Sequence, residues 1–341
     1  MAGYTKISVI GGLLVASALP AGSEEKTGVS LWRDPVDMAN RDLTFGAGGE
    51  QRAPGKDGYE FVEEDLGGVS PKYVVKDSGG LKWKVKVGEE ARPETVATRL
   101  VWAVGYSTDE DYFVPSMRVE KMPKQVRRGR EFVSPDGTIR DARWERMDQK
   151  KLGEWKWINN PFNKTRELGG LRVLMAMLNN YDMKDSQNSV FEGEGVRECR
   201  VSDLGATFGQ SGSRWPKASK KGDFEQYRQS AFITKVTGKY VNFAAPAWPM
   251  MLGVIPTPPV PYPLLSAPMK LFGRSPAPDV AGQRWIGKGV PLEHARWMGA
   301  LLGKLSAKQI RDAFRAAHYS PEEVEDFSRA VEKRIAELKA L

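Results

Sequence analysis

The spacing of apolar and polar residues changes character several times along the chain. From Tyr59 it is short and alternating: "YEFVEED" and "KYVVKD" predict two strands, and "LGGVSP" between them predicts a turn. "SGG" then leads into "LKWKVKVG", a third strand with strict alternation. Trp83, Val85 and Val87 share one face of it, and Lys82, Lys84 and Lys86 share the other. "RPETVATRLVWAVGY" switches to a helical period, with Ala97, Leu100, Val101 and Val104 in one stripe. Pro93 suits the first turn, Glu94 suits the positive end of the helix, and Gly105 is the stop signal. "DYFVPSMRVE" and "REFVSPDGTIRDARWERM" predict further strands, the latter with a hairpin centre at Ser134-Pro135-Asp136-Gly137.

"TRELGGLRVLMAMLNN" predicts a buried helix, with Leu168, Leu171, Leu174, Met175 and Leu178 on one side. The polar run "NNYDMKDSQN" follows, then a short apolar stretch, then "VRECRVSDLGATFG", a strand ending at Asp203-Leu204-Gly205. Residues 244–280 are so rich in proline that neither a helix nor a central strand fits, and a long loop is expected. From Pro291 onward the pattern is helical, and the serines opening "SAKQIRDAFRAA" and "SPEEVEDFSRAVEKRIAELKAL" are N-caps. Residues 22–58 read as an irregular arm, whose "GAGG" lacks the spacing of a dinucleotide fingerprint. Residues 1–21 have a basic start, an apolar middle and small residues at Ala16 and Ala18, which predicts a signal peptide and an exported, periplasmic or extracellular protein; the alternative is an apolar N-terminal strand or helix of a cytoplasmic protein.

Composition narrows the chemistry. The 341 residues carry a formal charge of +8, which favours anionic partners such as nucleotide phosphates or lipid headgroups. The connector "KMPKQVRRGR" has five Lys or Arg in ten residues; a solvated loop is the plainer reading, and an anionic membrane surface the sharper one. Charge alone does not choose among anionic partners, and because the basic residues are interleaved with acids a solvated surface is the plainer reading; nucleic acid is not expected. One cysteine, Cys199, excludes an intrachain disulfide and a Cys-based zinc site. Two histidines, His294 and His318, exclude a His-rich metal site, and no nucleophile elbow lies near either.

Phosphoryl transfer needs positioning and charge neutralisation more than covalent chemistry, and the charged residues occur in an order that suits it. A third-strand lysine offers a point charge to nucleotide phosphates: Lys86 first, Lys84 second, since both face the same side. Glu94 would hold that lysine by an ion pair. Asp182 would take the proton of an acceptor hydroxyl, and Lys184 would neutralise the transferring phosphate. Asp203 would bind Mg2+, helped by Gln187 or Asn188, because a hard cation prefers oxygen ligands. Gly205 would permit the backbone turn after it.

These segments resemble the protein-kinase-like superfamily, its atypical branches most: HipA-like, phosphatidylinositol-kinase-like and secretory-kinase-like proteins. "DLGGVSPKYVV" looks like the Gly-rich loop of HipA-type kinases, which implies that Gly67, Gly68, Ser70 and Lys72 contact the nucleotide. "WKVKVG" with "ETVATRLVWAVGY" resembles the lysine strand and glutamate helix, "NNYDMKDSQN" the catalytic loop, and "VSDLGATFG" the metal-binding segment. The resemblance covers about residues 60–210. It implies an α+β, bilobal fold: a small antiparallel-sheet N-lobe with one key helix over 59–157, and a mainly helical C-lobe over 158–341. It also implies ATP or another nucleotide triphosphate with Mg2+, and a hydroxyl acceptor on a protein, lipid or small molecule. The sequence departs from the family at the catalytic loop. No His-Arg precedes Asp182, and the position five residues on is Gln187, with Asn188 one further. A catalytically impaired scaffold of the same fold is therefore the alternative.

Overall fold

A computed structural model describes residues 28–180, 182–193, 195–209, 221–244 and 285–341. The expected signal peptide, and all of the proline-rich segment except Ala244, lie outside the described residues. Among the described residues no helix is long and apolar enough to cross a membrane.

The alternating segments form strands, as their period requires: β2 (Tyr59–Asp65), β3 (Lys72–Lys76), β4 (Lys82–Val87), β5 (Asp111–Glu120) and β6 (Thr138–Arg146). The chain is α+β. The expected antiparallel strands close into a barrel in the order β2-β3-β4-β6-β5. Closure comes from a parallel pairing of β2 with β5, Tyr59 opposite Val119 and Glu60 opposite Glu120. A register shift between Phe61 and Glu63 bends β2, and such irregularities help a sheet to curl shut. Trp83, Val85 and Val87 point inward and pack with Tyr59, Tyr73 and Trp144. The rings of Tyr59 and Trp144 meet edge to face at 4.7 Å. The lysines of β4 consequently stand on the outside of the barrel.

Helix α1 (Ala91–Ala103) joins β4 to β5, and Gly105, with φ of 101°, follows its end. Its apolar stripe belongs to a second, larger core shared with α2 (Arg166–Leu178) and the C-terminal helices α4 (Leu292–Leu302), α5 (Ala307–Ala316) and α6 (Pro321–Lys339). Its other side carries Glu94 and Arg99 to charges on the barrel strands. Thus α1 is the wall between the two cores. The short helix α3 (Phe224–Gln229) adds Tyr227 to the larger core.

Two further sheets form, one of them around the strand expected in "VRECRVSDLGATFG". In one, β1 (Val29–Ser30), β9 (Arg197–Arg200), β8 (Ser189–Glu192) and β7 (Lys151–Gly153) lie in that order. In the other, β10 (Ile233–Val236) and β11 (Tyr240–Phe243) pair, and β11 pairs with β12 (Val290–Pro291). The arm is irregular where it is described, but it is built in. Leu31, Met38 and Leu43 are buried in the larger core, and the Gln309 amide donates to the Met38 carbonyl at 2.7 Å.

Helix α6 begins with a complete capping box. The Ser320 hydroxyl accepts from the Glu323 N–H at 3.2 Å, and the Glu323 carboxylate accepts from the Ser320 N–H at 2.8 Å. Ser320→Ala is expected to lower stability by about 1 kcal/mol, read as a lower urea midpoint with an unchanged slope.

Candidate functional site

The site grows from the outer face of β4. Strand pairing sets Lys86 opposite Arg143 and Lys84 opposite Glu145 of β6, so both strands present charges to the same side. The two lysines meet different partners. Lys84 is paired with Glu145 at 3.0 Å. Lys86, only 5% exposed, lies 2.7 Å from Glu94, 2.6 Å from Asp203 and 3.1 Å from Glu90. Of the two candidates, Lys86 is therefore the one that meets both Glu94 and Asp203.

Glu94 is 1% exposed and reaches Lys86 with one carboxylate oxygen and Arg143 with the other, at 3.2 Å. Arg143 in turn bonds Asp111 at 2.8 Å and Glu145 at 3.0 Å, and lies 3.8 Å from Asp109. This buried arginine was missed in the sequence. The alternation of "IRDARWER" was the available signal, because it sets Arg143 and Glu145 opposite to the inward Ala142 and Trp144.

Glu90 was missed as well. Besides Lys86, its carboxylate accepts from the Ser70 hydroxyl at 2.5 Å and pairs with Lys221. Ser70 thus ties the Gly-rich turn to the start of α1. Gly68 takes a φ of 66°, which glycine adopts without strain. The Gly67 N–H donates to Asp65 at 2.8 Å, and Lys72 lies 3.6 Å from Asp65. The basic connector contributes from behind: Arg128 donates to the carbonyls of Asp65 and Gly68 at 2.6 and 2.8 Å. One of its cations therefore shapes the turn from the protein side.

The polar run opens where α2 ends on Asn179, whose φ of 59° fits a helix C-cap. The Asp182 N–H donates to the Asn180 side chain at 3.0 Å, an Asx turn. The Asp182 carboxylate pairs with Lys184 at 2.7 Å. The Gln187 amide nitrogen is 3.1 Å from Asp182 and 2.9 Å from Asp203, so one side chain links the two carboxylates. Gln187 lines the cleft. Asn188 is 1% exposed, and its amide nitrogen has no hydrogen-bond partner among the described residues. Asp203 itself adopts φ of 53°. The turn freedom assigned to Gly205 is thus exercised at Asp203. Gly205 is required for a different reason: a Cβ there would lie 2.6 Å from the Glu90 side chain.

Lys72, Lys84, Lys86, Glu94, Gln187 and Asp203 line a polar cleft of about 370 Å³, together with Asp109 and Arg143; Asp182, Lys184 and Asn188 are not among its walls. Burial pushes the Glu94 carboxyl up to about 7, against the pull of Arg143 and Lys86. Burial raises Asp109 to about 6, with Glu145 adding to it and Arg143 opposing. Burial also raises Glu145, but Lys84 and Arg143 outweigh it and hold the group at about 2. At Asp203 burial is likewise overcome, by Lys86 and the Gln187 hydrogen bond, and the carboxyl is held below its ordinary range.

The sign of the pH effect follows. A carboxyl raised in the fold binds a proton that the unfolded chain lacks, so its contribution to stability falls as pH rises from about 4.5 to about 7. Asp109 acts in the same direction, while Glu145 and Asp203 stay ionised across that window. Glu94→Gln is expected to remove on the order of 1–3 kcal/mol of the stability lost between about pH 5 and pH 7.5, measured by urea unfolding at both. An unchanged slope between the two pH values would refute the assignment.

Oxygen ligands for a hard cation are present. Glu90, Glu94 and Asp203 bring carboxylate oxygens within 4.8 Å of one another, but the Lys86 ammonium already fills that position. The fit is better on the other side of Asp203. There the NH2 of Gln187 bridges two carboxylates, the role a divalent cation would take, and turning the amide would offer its oxygen.

Comparison with family models, with curated proteins and with solved structures finds no match.

Proposed function

We propose that the protein is an atypical, bilobal, kinase-like phosphotransferase. It would move the γ-phosphate of a nucleotide triphosphate to a hydroxyl of a protein, lipid or small molecule, with Mg2+. The observation that carries this reading is the convergence of Lys86, Glu94 and Asp203, with Gln187 tying Asp203 to Asp182. Two stretches of the chain, residues 86–94 and residues 182–203, supply these groups.

In this reading Lys86 receives the phosphates, and Glu94 holds it in place when Asp203 turns to the metal. Asp203 with Gln187 or Asn188 would hold Mg2+, which supplies charge neutralisation to the phosphate oxygens. Gly67, Gly68, Ser70 and Lys72 border the nucleotide. Asp182 accepts the proton of the acceptor hydroxyl, and Lys184, now paired with Asp182, faces the transferring phosphate. The basic, apolar and small-residue order of residues 1–21 supports export.

A second reading is a nucleotide-binding scaffold without transfer. It is supported by the buried position of Asn188, which leaves Gln187 as the amide that bridges the two carboxylates. Thermal-shift measurements with ATP and Mg2+, paired with radiolabelled ATP, separate the two. A shift with incorporated label supports transfer. A shift without label, in the presence of an extract, supports the scaffold. No shift and no label would overturn both.

A further inference from the structure

A second cavity, of about 550 Å³, lies between the arm, β5 and the end of α5, and shares no lining residue with the polar cleft. Among the described residues its charged lining is cationic or imidazole: Lys56, Arg99, Arg315 and His318, with no Asp or Glu. Its apolar walls include the rings of Phe45, Tyr112 and Phe113.

The arginine at its base is built in. Arg99 is 2% exposed and pairs with Asp111 through one terminal nitrogen, while the other donates to the Phe45 carbonyl at 3.4 Å. Its Nε has no hydrogen-bond partner among the described residues. At the rim, Arg315 is half exposed, with Asp312 at 2.9 Å as its only ion-pair partner among the described residues. The ring of His318 lies 5.8 Å from that of Phe113. A largely apolar cavity with a few convergent polar groups is the common form of a small-ligand site, and guanidinium groups suit the planar oxygens of carboxylates and phosphates.

We propose that this cavity binds a small aromatic anion, its ring between Phe45 and Phe113 and its carboxylate or phosphate among Arg99, Lys56 and Arg315. The site is distinct from the polar cleft and stands whether or not the phosphotransferase reading does.

The chain's two histidines make the test local, because His318 lines this cavity and His294 does not. Proton NMR of the full chain would follow both imidazole signals during titration with phenyl phosphate, benzoate and neutral phenol. Saturable movement of the His318 signal with either anion is expected, with the His294 signal static and phenol ineffective. Phenyl phosphate alone would identify the phosphate class, and benzoate alone the carboxylate class. The exposed-rim double variant Lys56→Gln/Arg315→Gln should weaken the bound anion at least tenfold. A static His318 signal with both anions, movement with phenol as strong as with the anions, or an unchanged affinity in the double variant would overturn the proposal.

Discussion

Asp203→Ala is expected to reduce magnesium-dependent phosphate transfer by about 10²- to 10³-fold, the scale for removing one preorganised electrostatic contact from a site. Asp203 is the one member of the Lys86 cluster with a substantially exposed side chain, at 41%, and it alone also accepts from Gln187. Removing it leaves Lys86 with Glu94 and Glu90, so the cluster keeps its cation paired and the protein should stay folded by circular dichroism. Asp203→Asn keeps an acceptor for Gln187 but loses the charge, and is expected to be equally inactive. Transfer by either variant at the wild-type level would sink the phosphotransferase reading. Loss of transfer together with loss of fold in both would instead make Asp203 a structural residue.

Local periodicity made much of this site legible. Strict alternation in "LKWKVKV" puts Trp83, Val85 and Val87 inside, so the outward position of Lys84 and Lys86 follows from the sequence. What alternation cannot do is separate two lysines on one face. That choice depends on cross-strand neighbours: Glu145 beside Lys84, and the Glu94 helix beside Lys86. Glu90 was illegible for a similar reason. It precedes the helix, and its value lies in contacts with Ser70 and Lys221, 20 and 131 residues away. Barrel closure was missed because it is a parallel contact between β2 and β5, and such pairings leave no turn signal. The arm looked loose from its Gly-rich composition, yet Leu31, Met38 and Leu43 are buried by elements near the other end of the chain.

Arg143→Met is expected to cost 3–5 kcal/mol in roughly the manner of breaking a buried charge network, read as a lower urea midpoint at neutral pH. Burial opposes the charge on Arg143, but Glu94, Glu145, Asp111 and Asp109 more than offset it and raise its pKa well above the usual guanidinium value. The consequences of removing it differ by partner. Glu94 keeps Lys86, Asp111 keeps Arg99, and Glu145 keeps Lys84. Asp109 retains the Ser202 hydroxyl at 3.1 Å as its hydrogen bond. Glu94, Asp109 and Asp111 thus lose half or more of their ion-pair partners while staying buried. Burial already lifts Glu94 to about 7 with Arg143 present, so its loss should lift Glu94 and Asp109 further. The variant should therefore be penalised more at pH 8, where these groups must ionise, than at about pH 5, where they hold protons. Arg143→Lys should fall between the two, since one ammonium cannot span Glu94, Asp111 and Glu145 at once. A cost below about 1 kcal/mol for Arg143→Met, or a cost independent of pH, would mean that the network is not what holds Glu94 against Lys86.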